Sequence, residues 1–138
     1  MAIKTIAVDS MVFIYHFDVI QPYFKKTSQI LSEAQQKKSQ IITSNVSVLE
    51  ALSTPKYINH PEIIKEICLF FQEADYLTVI PVNWDITLEA ARLRRENKYL
   101  RTPDAIQIAT AIIHKADLFI THDAKLTKLN LPLNIISL

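Results

Sequence analysis

Short apolar runs alternate with helix-patterned segments along the whole chain, and few architectures accept that order. Residues 3–8, 40–43, 77–80, 118–120 and 133–138 read as strands. Between them lie segments with helical spacing. One begins at Ser10 and carries Met11, Val12, Phe13, Ile14 and Tyr15. A second starts after Gln21-Pro22 and runs to about Lys38. A third is capped by Ser44 or Asn45 and holds Glu50, a fourth opens at Pro61, and a fifth runs from Asp85 to about Lys98. Strands that alternate with helices predict parallel pairing, with the helices as crossovers on both faces of a sheet. The expected fold is a three-layer α/β/α domain with a mostly parallel sheet. At 138 residues it forms one domain, 1–138, with a full core. Pro81 closes the third strand or marks it as an edge.

Residues 101–126 organise the rest. Thr102 is a good N-cap, Pro103 suits the first helical position, and Asp104 falls in the first turn, where the helix dipole favours a carboxylate. Ala105, Ala109, Ile112, Ile113 and Ala116 recur at helical spacing and predict one buried face. Leu118-Phe119-Ile120 reads as a buried parallel strand, with Asp123 just past its end.

Other acids fall in comparable places. Asp9 ends the first strand, and Glu50 lies on the helix after the second. If the strands are parallel, their carboxyl ends share one edge, which is where open α/β sheets bind ligands. Asp9, Glu50, Asp104 and Asp123 are therefore expected to line one pocket. Each acid alone has a plainer explanation: a dipole partner, a turn former or a solvated helix residue. The joint pattern is harder to obtain by accident. Asp85 is read as an N-cap, and Asp117 precedes its strand, at the opposite edge.

Magnitude then limits what four clustered acids can do. Two unit charges about 5 Å apart repel by roughly 3 kcal/mol at an effective dielectric of about 20. Six such pairs rival a domain's whole stability of about 5–15 kcal/mol. The expectation is that the acids either protonate or bind a cation. All-oxygen ligands suit Mg²⁺ or Mn²⁺. Such ions activate water and stabilise a phosphodiester displacement.

Composition removes competing chemistries. The chain has no glycine, which excludes a Gly-rich phosphate loop and a dinucleotide fingerprint. Its single cysteine, Cys68, excludes an internal disulfide and a Cys-based zinc site, and sits in an apolar helical run. The net charge is +1, so polyanion binding needs a local patch. The strongest patch is the run Arg92, Arg94, Arg95, Lys98 and Arg101, a candidate RNA contact, with a solvated helix face as the plain alternative. No segment is apolar enough to span a membrane, and a cytoplasmic location is expected. The four histidines lack zinc-ligand spacing, and His122 reads as an exposed loop residue. Ser10 and Ser44 lack a His/Asp relay, while Thr121 is placed to orient Asp123.

The segments Ala-Val-Asp9-Ser, Ser-Val-Leu-Glu50-Ala, Thr-Pro-Asp104-Ala-Ile-Gln-Ile-Ala-Thr-Ala and Ala-Asp-Leu-Phe-Ile-Thr-His-Asp123 occur in order along essentially the whole chain. With them the chain resembles the PIN-domain family, and especially the VapC-type toxins of toxin–antitoxin pairs. The last two segments are the specific ones. The resemblance implies a five-stranded parallel sheet and a Mg²⁺- or Mn²⁺-dependent endoribonuclease. Asp9, Glu50, Asp104 and Asp123 would be its metal-binding carboxylates, supported by the Thr121 hydroxyl. Apart from the resemblance, Ser10 is a further supporting candidate beside Asp9, and Arg94, Arg95 and Arg101 of the basic run are the candidate RNA contacts. The resemblance also implies a homodimer and a small antitoxin partner that occludes the site. Met11 departs from the family, which often has asparagine there. The competing reading is a catalytically silent PIN-like module that binds RNA or protein. A small-substrate phosphohydrolase fits poorly, because its aspartyl-nucleophile version needs a second Asp two residues after Asp9, where Met11 stands.

Overall fold

A computed structural model describes residues 3–138. Strands β1 (Lys4–Val8), β2 (Ser39–Ser44), β3 (Leu77–Ile80), β4 (Leu118–Thr121) and β5 (Ile135–Ser137) form one sheet in the order β3-β2-β1-β4-β5. Every neighbouring pair is parallel, with Ile6 opposite Ile41 on one side of β1 and Leu118 on the other. The crossovers are helices α1 (Ser10–Phe17), α2 (Tyr23–Gln35), α3 (Asn45–Leu52), α4 (Pro61–Glu73), α5 (Trp84–Glu96) and α6 (Thr102–Ile113). β3 is an edge strand, consistent with the proline that follows it. The last strand is shorter than residues 133–138, because Leu133 and Asn134 still belong to the loop that leads into it.

Alternate residues of each strand feed two separate cores. Ala7, Ile42, Ile80 and Phe119 pack under α5 and α6, whereas Val8, Ile41, Leu77 and Ile120 pack under α1 to α4. That is the three-layer arrangement the pattern predicts. The chain winds outward from β1 through β2 to β3, then returns across the sheet to β4 on the other side of β1. The switch in direction falls between β1 and β4. A crevice at the carboxyl ends of those two strands is where an open sheet presents its binding site.

Helix ends show where local expectations fail. Asp9, not Ser10, caps α1, its carboxylate accepting from the Met11 N–H at 3.1 Å, and Ser10 is already the first helical residue. Asn83, not Asp85, caps α5 through the Ile86 N–H at 2.9 Å, so Asp85 falls in the first turn. Arg101 stands at the cap of α6 without a side-chain bond to the helix's first N–H groups, and Thr102 is already helical. Pro103 itself removes one of the orphan N–H groups a cap would serve. Ser44 does cap α3, accepting from the Val46 N–H at 3.1 Å. Lacking glycine, the chain ends α1, α2 and α6 on Val19, Lys37 and Lys115, each with φ between 53° and 62°. All three follow the helix's C-cap and close the paired reverse bonds of a Schellman motif.

α6 is buried more widely than a one-sided stripe. Ala105, Gln107, Ile108, Ala109, Thr110 and Ala111 are all buried, while Ile113 is 38% exposed. The helix crosses the middle of the sheet against β1, β2 and β4 and also touches α3 and α5, which encloses most of its circumference. No helix among the described residues is long and apolar enough to cross a membrane.

Candidate active site

Asp9 leaves β1 at the switch in strand order. Its backbone N–H still bonds the Ile120 carbonyl of β4 at 3.1 Å, so the residue is fixed before its side chain is considered. The side chain is held from three directions. Oδ1 accepts from Met11 N–H, and Oδ2 accepts from the Thr121 hydroxyl at 2.8 Å and the His122 N–H at 2.9 Å. Asp9 is 8% exposed. Burial raises its pKa above the ordinary carboxylate value, although these hydrogen bonds and His122 pull the other way.

Thr121, the last residue of β4, is fully buried and joins two acids through one hydroxyl. It donates to Asp9 and accepts from the Asp123 N–H at 3.0 Å. Asp123 then caps the 3-10 turn Ala124–Lys128 through the Lys125 N–H at 2.9 Å. The spacing that puts Asp123 two residues beyond the strand thus holds it beside Asp9.

Asp104 and Glu50 come from the helices. Asp104 sits in the first turn of α6 with its side chain 15% exposed, accepting from Arg101 Nε at 3.1 Å. Glu50 is half-buried in the last turn of α3. The Arg101 guanidinium lies within reach of their charge. Asp104 raises its pKa most, and Asp123 and Glu50 add to the effect. Arg101 thus contacts Asp104 alone, Asp104 and Asp123 line one cleft, and Asp9 is linked through the Thr121 hydroxyl to the backbone N–H of Asp123.

This changes the electrostatic expectation. Of the four acids, Asp104 has a counter-ion within the chain, Arg101. Among the described residues, no three His, Cys, Asp or Glu side chains stand close enough together to hold a metal ion as they are. The donor set still fits a hard divalent ion, since it is made only of carboxylate oxygens, one of them buried and unfavourably charged. The side chains of Arg101 and Asp104 would have to separate to complete it.

Sequence reasoning missed the groups that set the helices against the sheet. Thr43 at the end of β2 donates to the Val8 carbonyl at 2.8 Å and bonds the Ser47 hydroxyl of α3 at 2.6 Å. Gln107 of α6 donates to the same Ser47 hydroxyl at 2.7 Å, and its carbonyl oxygen accepts from the Ser44 N–H at 3.5 Å. All five residues are buried. They tie β1, β2, α3 and α6 together, and so place Glu50 and Asp104 relative to Asp9. The available signal was Gln107, a polar residue inside the apolar run of its helix.

The remaining candidates separate. Ser10 is buried next to Asp9 but does not serve as the cap. His122 is exposed, yet its Nδ1 bonds the Tyr15 hydroxyl at 2.7 Å, and Tyr15 stacks on Tyr23 with centroids 4.4 Å apart. Asp117 lies at the opposite edge as expected, accepting from the Thr5 N–H at 2.8 Å. The basic run is not one surface. Arg92 is held by Glu89 and Glu96, Arg94 donates to the Leu100 carbonyl at 3.1 Å, and Arg95 lines a different cleft with Asp85 and Ile113. Only Lys98 and Arg101 of that run reach a cleft of about 400 Å³ that Asp104 and Asp123 also line.

A family profile described as PIN domain matches residues 6–131. No curated protein sequence matches the chain. Among solved structures, the chain is similar to one in a toxin–antitoxin complex from Klebsiella pneumoniae. The TM-score is 0.66 at 23% identity, over 94% of each chain. It is also similar to one in VapBC2 from Rickettsia felis bound to a DNA fragment from their promoter. There the TM-score is 0.72 at 17% identity, over 97% of this chain and 98% of that one. At these identities the likeness shows a shared fold.

Proposed function

The chain belongs to the PIN-domain family, and from that premise we propose that it is a divalent-metal-dependent endoribonuclease, the toxin of a toxin–antitoxin pair. The observation that carries this reading is the Asp9–Thr121–Asp123 chain of hydrogen bonds at the switch in strand order, with Asp104 lining the same cleft as Asp123 and Glu50 on the neighbouring α3. One solved structure the chain resembles is a toxin–antitoxin complex and another is VapBC2 bound to promoter DNA, which supports an antitoxin partner. A homodimer and a cytoplasmic location are part of the same proposal.

In this reading Asp9, Glu50, Asp104 and Asp123 hold Mg²⁺ or Mn²⁺. When bound, such an ion supplies Lewis-acid stabilisation of charge on the phosphodiester and lowers the pKa of water. The chain's own residues do the rest. Thr121 and two backbone N–H groups keep Asp9 in one orientation. Arg101, with its side chain 74% exposed, is free to leave Asp104 for an RNA phosphate as the substrate arrives. Ser10, buried and next to Asp9 in sequence, is a supporting residue in this reading.

The test is cleavage of single-stranded RNA in Mg²⁺ by the wild type and by Asp104→Asn. The expected loss is about a thousandfold, the equivalent of several kcal/mol of transition-state stabilisation. Equal activity would contradict the proposal. Toxicity adds a second readout: expression should arrest growth, and Asp104→Asn should relieve it.

One observation favours the alternative of a silent module that binds RNA or protein. Arg101 already pairs with Asp104, and among the described residues no three acids are gathered for a metal. RNA retained by the wild type without cleavage, across several metals, would select that reading.

A further inference from the structure

We propose that the cleft beside the acids is a base-stacking subsite for single-stranded RNA, with Tyr99 as its platform and Lys98 and Lys125 as its phosphate contacts. The inference rests on the nuclease reading of the adjoining carboxylates and names the form of RNA they would cut.

Tyr99 lies in the short connection between α5 and α6 and is 90% exposed. A single exposed aromatic needs no explanation by itself. This one is held out by a connection that is fixed on both sides. Leu100 is 5% exposed and anchors the turn in the core, with its N–H bonded to the Asn97 carbonyl at 2.9 Å. Asn97 in turn donates its side-chain N–H to the Leu93 carbonyl at 2.9 Å, and Arg94 holds the Leu100 carbonyl. The backbone that carries the ring is therefore fixed, and only side-chain rotamer freedom would be lost on stacking.

The surroundings of the ring point to the ligand. Tyr99 lines the 400 Å³ cleft together with Asp104 and Asp123, so the subsite shares a wall with the proposed hydrolytic centre. A volume of this order accommodates a small organic group such as a nucleotide. Leu126 and Leu129 supply apolar surface, and Lys98, Arg101 and Lys125 supply positive charge. The Lys98 ammonium stands 5.8 Å from the centroid of the Tyr99 ring. An aromatic face flanked by cations is the combination that binds single strands, because stacking takes the base while the cations follow the backbone. A duplex has its base faces already covered and cannot use the platform. Every base has a π-face, so this subsite contributes strand preference more than sequence preference.

The experiment is fluorescence anisotropy of a labelled short uridine oligomer in EDTA, with wild type, Tyr99→Ala and Tyr99→Phe. Tyr99→Ala should weaken binding on the order of tenfold. Tyr99→Phe keeps the ring and should stay close to wild type. Neither variant should shift the thermal midpoint, given the exposure of the side chain. Affinity for an RNA duplex should not change in Tyr99→Ala. During cleavage of single-stranded RNA in Mg²⁺, Tyr99→Ala should raise KM and keep kcat. Equal affinity of wild type and Tyr99→Ala for the oligomer overturns the subsite, as does an equal loss in Tyr99→Phe. If Asp104→Asn still abolishes cleavage in that case, the nuclease reading survives alone. Tyr99-dependent binding without any cleavage supports the subsite and removes the catalytic reading. A wild type that neither binds nor cleaves RNA overturns both.

Discussion

The two halves of the candidate site are built differently. The half on the sheet, Asp9 with Thr121, is buried and saturated with hydrogen bonds. The half on the helices, Asp104 with Arg101, opens on a cleft, and its arginine is 74% exposed. The first half is positioned before any ligand arrives, at the expense of burying a carboxylate. The second half can rearrange, and its ion pair is of the solvent-facing kind that contributes little to stability, typically about 0–1 kcal/mol. In the proposed nuclease, a site divided in this way would fix the geometry around one ligand group and leave the entry of cation and substrate to the other.

Removing the hydroxyl that joins Asp9 to Asp123 attacks the fixed half most directly. Thr121→Val keeps the shape and β propensity of the residue, and should lower RNA cleavage by about 10–100-fold, the usual range for a group that orients metal ligands. Unchanged cleavage would show that the hydrogen-bonded chain has no bearing on catalysis. Gln107→Ala probes the lock between that half and the helices. It leaves the Ser44 N–H and the Ser47 hydroxyl short of a buried partner, and should cost about 1–3 kcal/mol in denaturant unfolding. A cost near zero would mean that α3 and α6 are set by apolar packing alone. The smallest effect belongs to the open half. Arg101→Gln should change unfolding free energy by less than about 1 kcal/mol. It should also lower the Mn²⁺ concentration needed to raise the melting temperature, because a competing cation has been removed. A higher Mn²⁺ requirement would give Arg101 a supporting part in the metal site.

The same division explains what could be read from the chain in advance. The order of strands and helices, the parallel sheet, and the strand-end positions of Asp9 and Asp123 follow from apolar periodicity and from where the acids interrupt it. The helix boundaries moved by a residue or two, because a cap depends on which side chain reaches the first N–H groups. Asp9 and Asn83 reach them, while Ser10 and Asp85 are already inside the helix. The Thr43–Ser47–Gln107 lock was beyond periodicity, since its bonds join residues up to 60 positions apart. Arg101 was visible only as one member of a basic run, and its pairing with Asp104 emerges from the turn that precedes α6. The run itself dissolved because helical rotation and the Glu89 and Glu96 pairs send its members to different surfaces.

The central claim is that oxygens from β1, α3, α6 and the segment after β4 jointly receive a divalent ion. Calorimetric titration of Mn²⁺ into the wild type and into the Asp9→Asn and Asp104→Asn variants tests it most directly. The account predicts saturable binding to the wild type and a marked loss in each variant, the buried half and the open half alike. Binding that survives both substitutions unchanged, or no binding to the wild type, would contradict it.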